Sequence, residues 1–283
     1  MSTVESSLST LETKIAFQVN WIEFLLAKLR AFFTPDTCRR HMSLFRVVGH
    51  TGIVVAGVLG VLCSIVAAIK SDSLFIFLLG IGWLIGILIV DYVSRRFEQT
   101  ADSLVKSTKS YLSSTVYVEA IALLLLVASA GLFGIGIYGA IKSASIAFFL
   151  KSAGLSVWMF YVSLIALNAA SMLNIEFKEG LKAEEEGVGL LEFNAKSCLL
   201  AVPFYFGAGI VFGLIHLLWS VIKLTREETF ASALSDSTSC FVTLGVVAAL
   251  PLLACLAFLV LYALIAAVKS LIRMASVLEK KEG

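Results

Sequence analysis

The feature that most constrains this chain is a series of apolar runs, each near the roughly 20 residues that a helix needs to cross a bilayer core. They fall at Val47–Ile69, Leu74–Val93, Val116–Ile141, Ala153–Leu173, Leu199–Ile222 and Phe241–Val268. Composition points the same way, because hydrophobic residues make up 59% of the 283 and charged residues only 15%. Soluble domains carry about 25% charged residues, and so small a charged fraction cannot cover that much apolar surface. The expected fold is therefore an all-α integral membrane protein of about six transmembrane helices. Residues 1–35 form an amphipathic helix, 47–268 the bundle and 269–283 a tail.

Orientation follows from the basic residues, which concentrate on the cytoplasmic side of membrane proteins. Of 22 Lys and Arg, only Lys70, Lys142, Lys151, Lys223 and Arg226 fall in the connections assigned to one side. The remainder lie with the two termini and the connections at 94–115 and 174–198. Both termini are thus expected to be cytoplasmic. An odd number of spans would divide the basic connections between the two sides. The compact connections favour a bacterial inner membrane, with a eukaryotic endomembrane as the alternative.

A short motif recurs at the ends of the odd helices. Ala68-Ile69-Lys70-Ser71 reappears as Ala140-Ile141-Lys142-Ser143, with a weaker echo at Val221-Ile222-Lys223. Two readings compete: three tandem helical hairpins, or a chance likeness between apolar helices that end in Lys-Ser. The odd helices lack the Pro-x-acidic-x-x-basic signature of mitochondrial carriers. Pro203 is expected in the first turn of its helix and Pro251 within the sixth, where it removes a hydrogen bond.

Ahead of the bundle, Val4, Leu8, Leu11, Ile15, Val19, Ile22, Leu26, Leu29 and Phe33 recur at helical spacing, and Pro35 ends the run. Such a helix can lie in the headgroup plane, pair with a partner helix, or pack on its own bundle. The connection at 94–115 reads as a continuation of the second helix. The connection at 174–198 reads as a solvated acidic loop, with Glu184, Glu185, Glu186 and Glu192 and a turn at Gly187 and Gly189.

Ionisable or polar groups at membrane depth are the candidates for chemistry. His216 and Asn168 lie deepest and form the candidate intramembrane polar site, with Glu119 third. Asp91 and Glu119, near helix ends, are expected to reach headgroups or to pair with Arg95 or Arg96, and His50 at the end of the first run carries no special role. Small residues four apart mark packing faces at Ala56/Gly60, Gly82/Gly86, Ala130/Gly134 and Gly209/Gly213. The cysteines Cys38, Cys63, Cys198, Cys240 and Cys255 show no metal-ligand spacing, and the sequence contains no zinc-protease, nucleophile-elbow or P-loop motif.

No cofactor, metal or nucleic-acid partner is expected, and with a net charge of only +2 there is no basic field. The expected function is a non-catalytic membrane scaffold or accessory subunit. It would associate with itself or a membrane-protein partner through the glycine-rich faces and the amphipathic helix. The alternative is a small-solute transporter or channel with its polar site near His216 and Asn168.

Overall fold

In the computed structural model, residues 21–143, 146–226 and 230–282 are described. The chain is an all-α membrane protein in which six helices are long and apolar enough to cross a bilayer. Helix α1 covers residues 21–32. It is followed by α2 (Pro35–Ser71), α3 (Leu74–Ser107), strand β1 (Ser110–Leu112), α4 (Thr115–Ser143) and α5 (Ile146–Leu167). After these come α6 (Ala169–Leu173), β2 (Ile175–Phe177), α7 (Ala183–Leu224) and α8 (Phe230–Glu282). The first half of the amphipathic stretch, from Val4 to Val19, lies outside the described residues.

Each consecutive pair, α2–α3, α4–α5 and α7–α8, packs as an antiparallel hairpin. Helices α2, α3, α8 and α7 close a four-helix group, α5 lies against α7, and α4 rests almost wholly on α5. Exposed Ile85, Leu88 and Ile89 on α3, with Leu124 and Val127 on α4, give these helices an outward aliphatic surface. That surface suits lipid and would be costly in water. The protein has two unlike ends. At the apical end, Asp72 caps α2 in the left-handed region with φ 48°, and Lys70 Nζ donates to the Thr225 carbonyl at 3.1 Å. At the basal end gather α1, the two strands, the start of α7 and the tail of α8.

The long helices revise several expectations. At about 1.5 Å per residue, α7 is roughly 63 Å long, about twice the hydrocarbon core. Its first turns therefore stand clear of the lipid and occupy what the sequence suggested was a loop. Gly187 and Gly189 are helical, and Gly189 lets α7 approach so closely that a Cβ there would lie 2.0 Å from the Tyr111 carbonyl oxygen. Pro203 sits in the helix interior and not in the first turn. Helix α8 begins at Phe230, ahead of the sixth apolar run. The tail at 269–282 continues α8.

Lys151 does not interrupt its helix. The fourth span starts at Ile146 and ends at Leu167, where Asn168 breaks it before α6, so the expected Ala153–Leu173 segment is shifted. One charge within an otherwise apolar helix is tolerated near a membrane edge because a lysine stem can carry its ammonium outward.

The basal end is a small built module. Strands β1 and β2 pair in parallel, Ser110 opposite Ile175 and Leu112 opposite Phe177. Beneath them the Lys196 ammonium, 0% exposed, donates to the Thr108 carbonyl at 2.7 Å, Ser110 Oγ at 2.8 Å and the Leu173 carbonyl at 3.0 Å. It thereby joins α7 to the ends of α3 and α6. Glu192, 1% exposed, pairs with Lys269 of α8 at 2.6 Å, so this acidic residue is not part of a solvated loop.

Candidate functional site

The densest polar cluster lies where α2 and α3 enter the basal half. Arg46 and His50 are one turn apart on α2. On α3, Asp91, Arg95, Glu98 and Asp102 are spaced four, three and four apart, which places them along one helical face. Packing α2 against α3 brings the two sets together. His50 Nδ1 lies 2.6 Å from Asp91 Oδ1, and Nε2 lies 3.1 Å from Glu98 Oε2. Arg46 clasps Asp102 through both terminal nitrogens, at 3.1 and 2.9 Å, and its Nε stands 3.7 Å from Glu98 Oε2. Arg95 Nε donates to Asp91 Oδ2 at 2.9 Å.

The interior of this cluster is shielded. His50, Asp91 and Glu98 are buried, and the Phe206 ring of α7 covers the imidazole at a centroid distance of 4.9 Å. Ser94, on the same face of α3, donates to the Ala248 carbonyl of α8 at 2.6 Å, three residues before Pro251. On the apical side of the cluster the core is apolar, built from Ile53, Ala56, Ile87, Phe206, Ile210 and Leu244.

Hydrogen-bonding capacity restricts the protonation of this centre. An ionised carboxylate only accepts, and a neutral imidazole donates from one nitrogen alone. Both ring nitrogens of His50 face carboxylates. Either the ring is an imidazolium donating twice, or one of the two carboxyls carries a proton. In both cases the triad holds one proton more than a neutral ring between two carboxylates would. With an imidazolium, Arg46, Arg95 and His50 balance Asp91, Glu98 and Asp102.

Two atoms of the cluster lack a hydrogen bond. Arg46 Nε and Glu98 Oε1 are buried and make no hydrogen bond among the described residues. Beside them a cleft of about 390 Å³ is lined by Ser43, Arg46, Val47, His50, Thr51, Arg95, Glu98 and Gln99. What this arrangement can do chemically is hold a proton, pin two helices together and present paired opposite charges to a small polar group.

The sequence-derived candidates are not assembled into one site. His216, on α7, borders a cavity of about 50 Å³ shared with Lys151 and Thr243. Asn168 ends the same α5 that carries Lys151, about 25 Å further along by helix rise. It donates to the Phe33 and Leu164 carbonyls, at 3.1 and 2.9 Å, which holds the end of α1 against α5. Glu119 pairs with Arg30 of α1 at 2.7 Å rather than with Arg95 or Arg96, and Arg30 Nε also donates to the Leu167 carbonyl. Asn168 and Glu119 thus form the seat of the N-terminal helix, while His216 stands near the other end of the bundle.

The four small-residue faces divide evenly. Ala56 is fully buried, and Gly60 packs under Trp83 and Phe241. Gly209 and Gly213 receive Val247 and Leu244 of α8. Gly82 and Gly86 on α3 are exposed, with nothing within 4 Å of a Cβ built on either. Ala130 and Gly134 on α4 are exposed too, and Gly134 likewise has open space.

No family model matches this chain, and neither does any curated protein or solved structure.

Proposed function

We propose that the chain is a non-catalytic membrane scaffold or accessory subunit that associates with a second copy of itself through the outward small-residue faces of α3 and α4. The observation that carries this reading is the division of those faces. Two are filled by neighbouring helices within the protein, whereas Gly82/Gly86 and Ala130/Gly134 are open toward the bilayer. Between helices in lipid, association comes chiefly from close packing, and small residues four apart permit it. The charge cluster at the base of α3 and the Ser94 bond to α8 hold that helix in a fixed orientation, which keeps its Gly82/Gly86 face presentable.

Helix α1 supports the accessory reading. Leu26, Leu29 and Phe33 pack into the protein's own core, while Trp21 and Phe24 are each 59% exposed on the other side. A helix seated this way lays an aromatic edge at headgroup level. The excess of Lys and Arg at the basal end directs it toward the cytoplasm, and the short apical connections suit a bacterial inner membrane. The competing reading, a small-solute transporter or channel, keeps the six helices and the possible repeat but loses the His216 and Asn168 pair as a common site, because the two residues stand far apart.

Two differently tagged copies, co-expressed and extracted in mild detergent, test the proposal. Wild-type copies are expected to co-purify. Gly82→Leu/Gly86→Leu is expected to abolish co-purification while leaving the melting temperature of the single chain unchanged. Wild-type chains that never co-purify, in detergent or after cross-linking in the membrane, would refute self-association.

A further inference from the structure

We infer that the basal cleft between α2 and α3 binds the phosphoethanolamine headgroup of a phospholipid, with the phosphate at Arg95 and the ammonium at Glu98. This goes beyond self-association and uses a different surface from the Gly82/Gly86 face.

The acceptor side rests on Glu98. Its side chain is 6% exposed, it lines the cleft, and Oε1 has no partner while Oε2 is engaged by His50. A buried carboxylate oxygen left unpaired is costly, and an N–H carrying positive charge is the strongest donor that can relieve it. The donor side rests on Arg95. Its Nε is held by Asp91, which fixes the guanidinium, and its terminal nitrogens make no hydrogen bond among the described residues. A half-exposed guanidinium anchored in this way offers a planar fork suited to phosphate oxygens. Ser43 and Thr51 on the α2 wall and Gln99 on the α3 wall, all exposed, add neutral donors.

The surroundings of the cleft identify the source as lipid. Exposed Leu44, Val47 and Val48 flank Arg46 and His50 on α2, and exposed Val54, Val55 and Val58 follow one and two turns beyond, so aliphatic surface borders the cleft on both sides. A headgroup seated in the cleft would run its acyl chains along these valines.

Charge selects among headgroups. A balanced cluster with a cationic rim and an unpaired anionic atom within complements a zwitterion better than a net anion. Choline carries its charge behind methyl groups and has no N–H for Glu98 Oε1. Glycerol carries hydroxyls but no cation.

The test is native mass spectrometry of the detergent-solubilised full chain, mixed with phosphatidylethanolamine, phosphatidylglycerol or phosphatidylcholine of identical acyl chains and read on the single-chain peak. One added charge-assisted hydrogen bond corresponds to roughly tenfold in affinity. The ethanolamine lipid is therefore expected to be retained about tenfold more than the choline lipid. It is also expected to exceed the glycerol lipid. Glu98→Gln should bring it down to the choline level, and Arg95→Gln should lower retention of all three. Equal retention of the three lipids by the wild-type chain overturns the inference, whatever the variants do, and would leave a water as the partner of Glu98. Displacement by free phosphoethanolamine at a concentration equal to that of the lipid also overturns it, because the ligand would then be soluble. Since binding is counted per single chain, the result is independent of whether copies associate.

Discussion

His50 Nδ1 and Asp91 Oδ1 meet at 2.6 Å across the α2–α3 interface, with Glu98 closing the other side of the ring at 3.1 Å. This contact fixes where the first hairpin is rigid. Removing one member of a buried, hydrogen-bonded charge group leaves the others uncompensated, which costs about 3–5 kcal/mol. His50→Ala leaves Asp91 and Glu98 facing an empty space. It is therefore expected to lower the unfolding free energy by about that amount, measured as loss of helicity in a denaturing detergent titration. His50→Ala combined with Asp91→Asn and Glu98→Gln removes the unpaired charges and should recover part of the loss. A triple variant no more stable than the single one would show that the charges are not the cause.

The sequence made the membrane class and the number of long helices legible, because an apolar run of span length has few other uses. It did not make this cluster legible. Asp91 and His50 stand near helix ends and are unremarkable alone, and Glu98 falls in the connection that reads as a continuation of the second helix. The usable signal was joint: a line of charges spaced four, three and four on α3, matched by Arg46 and His50 one turn apart on α2. Their meeting depends on the register of two helices, which periodicity within either one does not contain. The same holds for His216 and Asn168, whose depth was readable while their separation along the bundle was not. The acidic stretch before the fifth run misled for another reason. Glycines and glutamates read as a solvated turn, yet Glu192 finds Lys269 across 77 positions of chain.

Lys196 offers a second measurable consequence. Its ammonium supplies hydrogen bonds to three neutral oxygens, at the cap of α3, on β1 and on α6. Lys196→Met keeps the stem length and leaves these acceptors without that donor, a loss of roughly 1–3 kcal/mol for an unsatisfied buried group. The effect should be local. Hydrogen exchange is expected to quicken at residues 108–112 and 173–177, with α4 unchanged. Uniform exchange across the chain would mean that the lysine supports the whole bundle.

The seat of α1 can be tested by proteolysis. Asn168 Nδ2 holds the Phe33 carbonyl, whereas the Arg30–Glu119 pair is exposed on both sides and, as a surface ion pair, is worth at most about 1 kcal/mol. Asn168→Leu is therefore expected to speed tryptic cleavage after Lys28 and Arg30 in the solubilised protein more than Glu119→Gln does. The reverse ranking would assign the docking of α1 to the ion pair.

The glycines separate packing from presentation most directly. At Gly207 an added Cβ would lie 2.4 Å from the Phe45 carbonyl oxygen, a backbone atom, at the α2–α7 crossing. A side chain can rotate away, but a helix backbone moves only by shifting the helix, and overpacking of this kind costs about 1–3 kcal/mol. At Gly82 the same methyl meets nothing. Gly207→Ala should therefore lower the melting temperature of the single chain, with no direct effect on the face presented by α3. Gly82→Ala should leave that temperature unchanged or raise it slightly, since alanine favours the helix over glycine. If both substitutions lowered it equally in detergent that keeps the chain monomeric, the α3 face would be packed inside the protein, and the open side on which self-association depends would not exist.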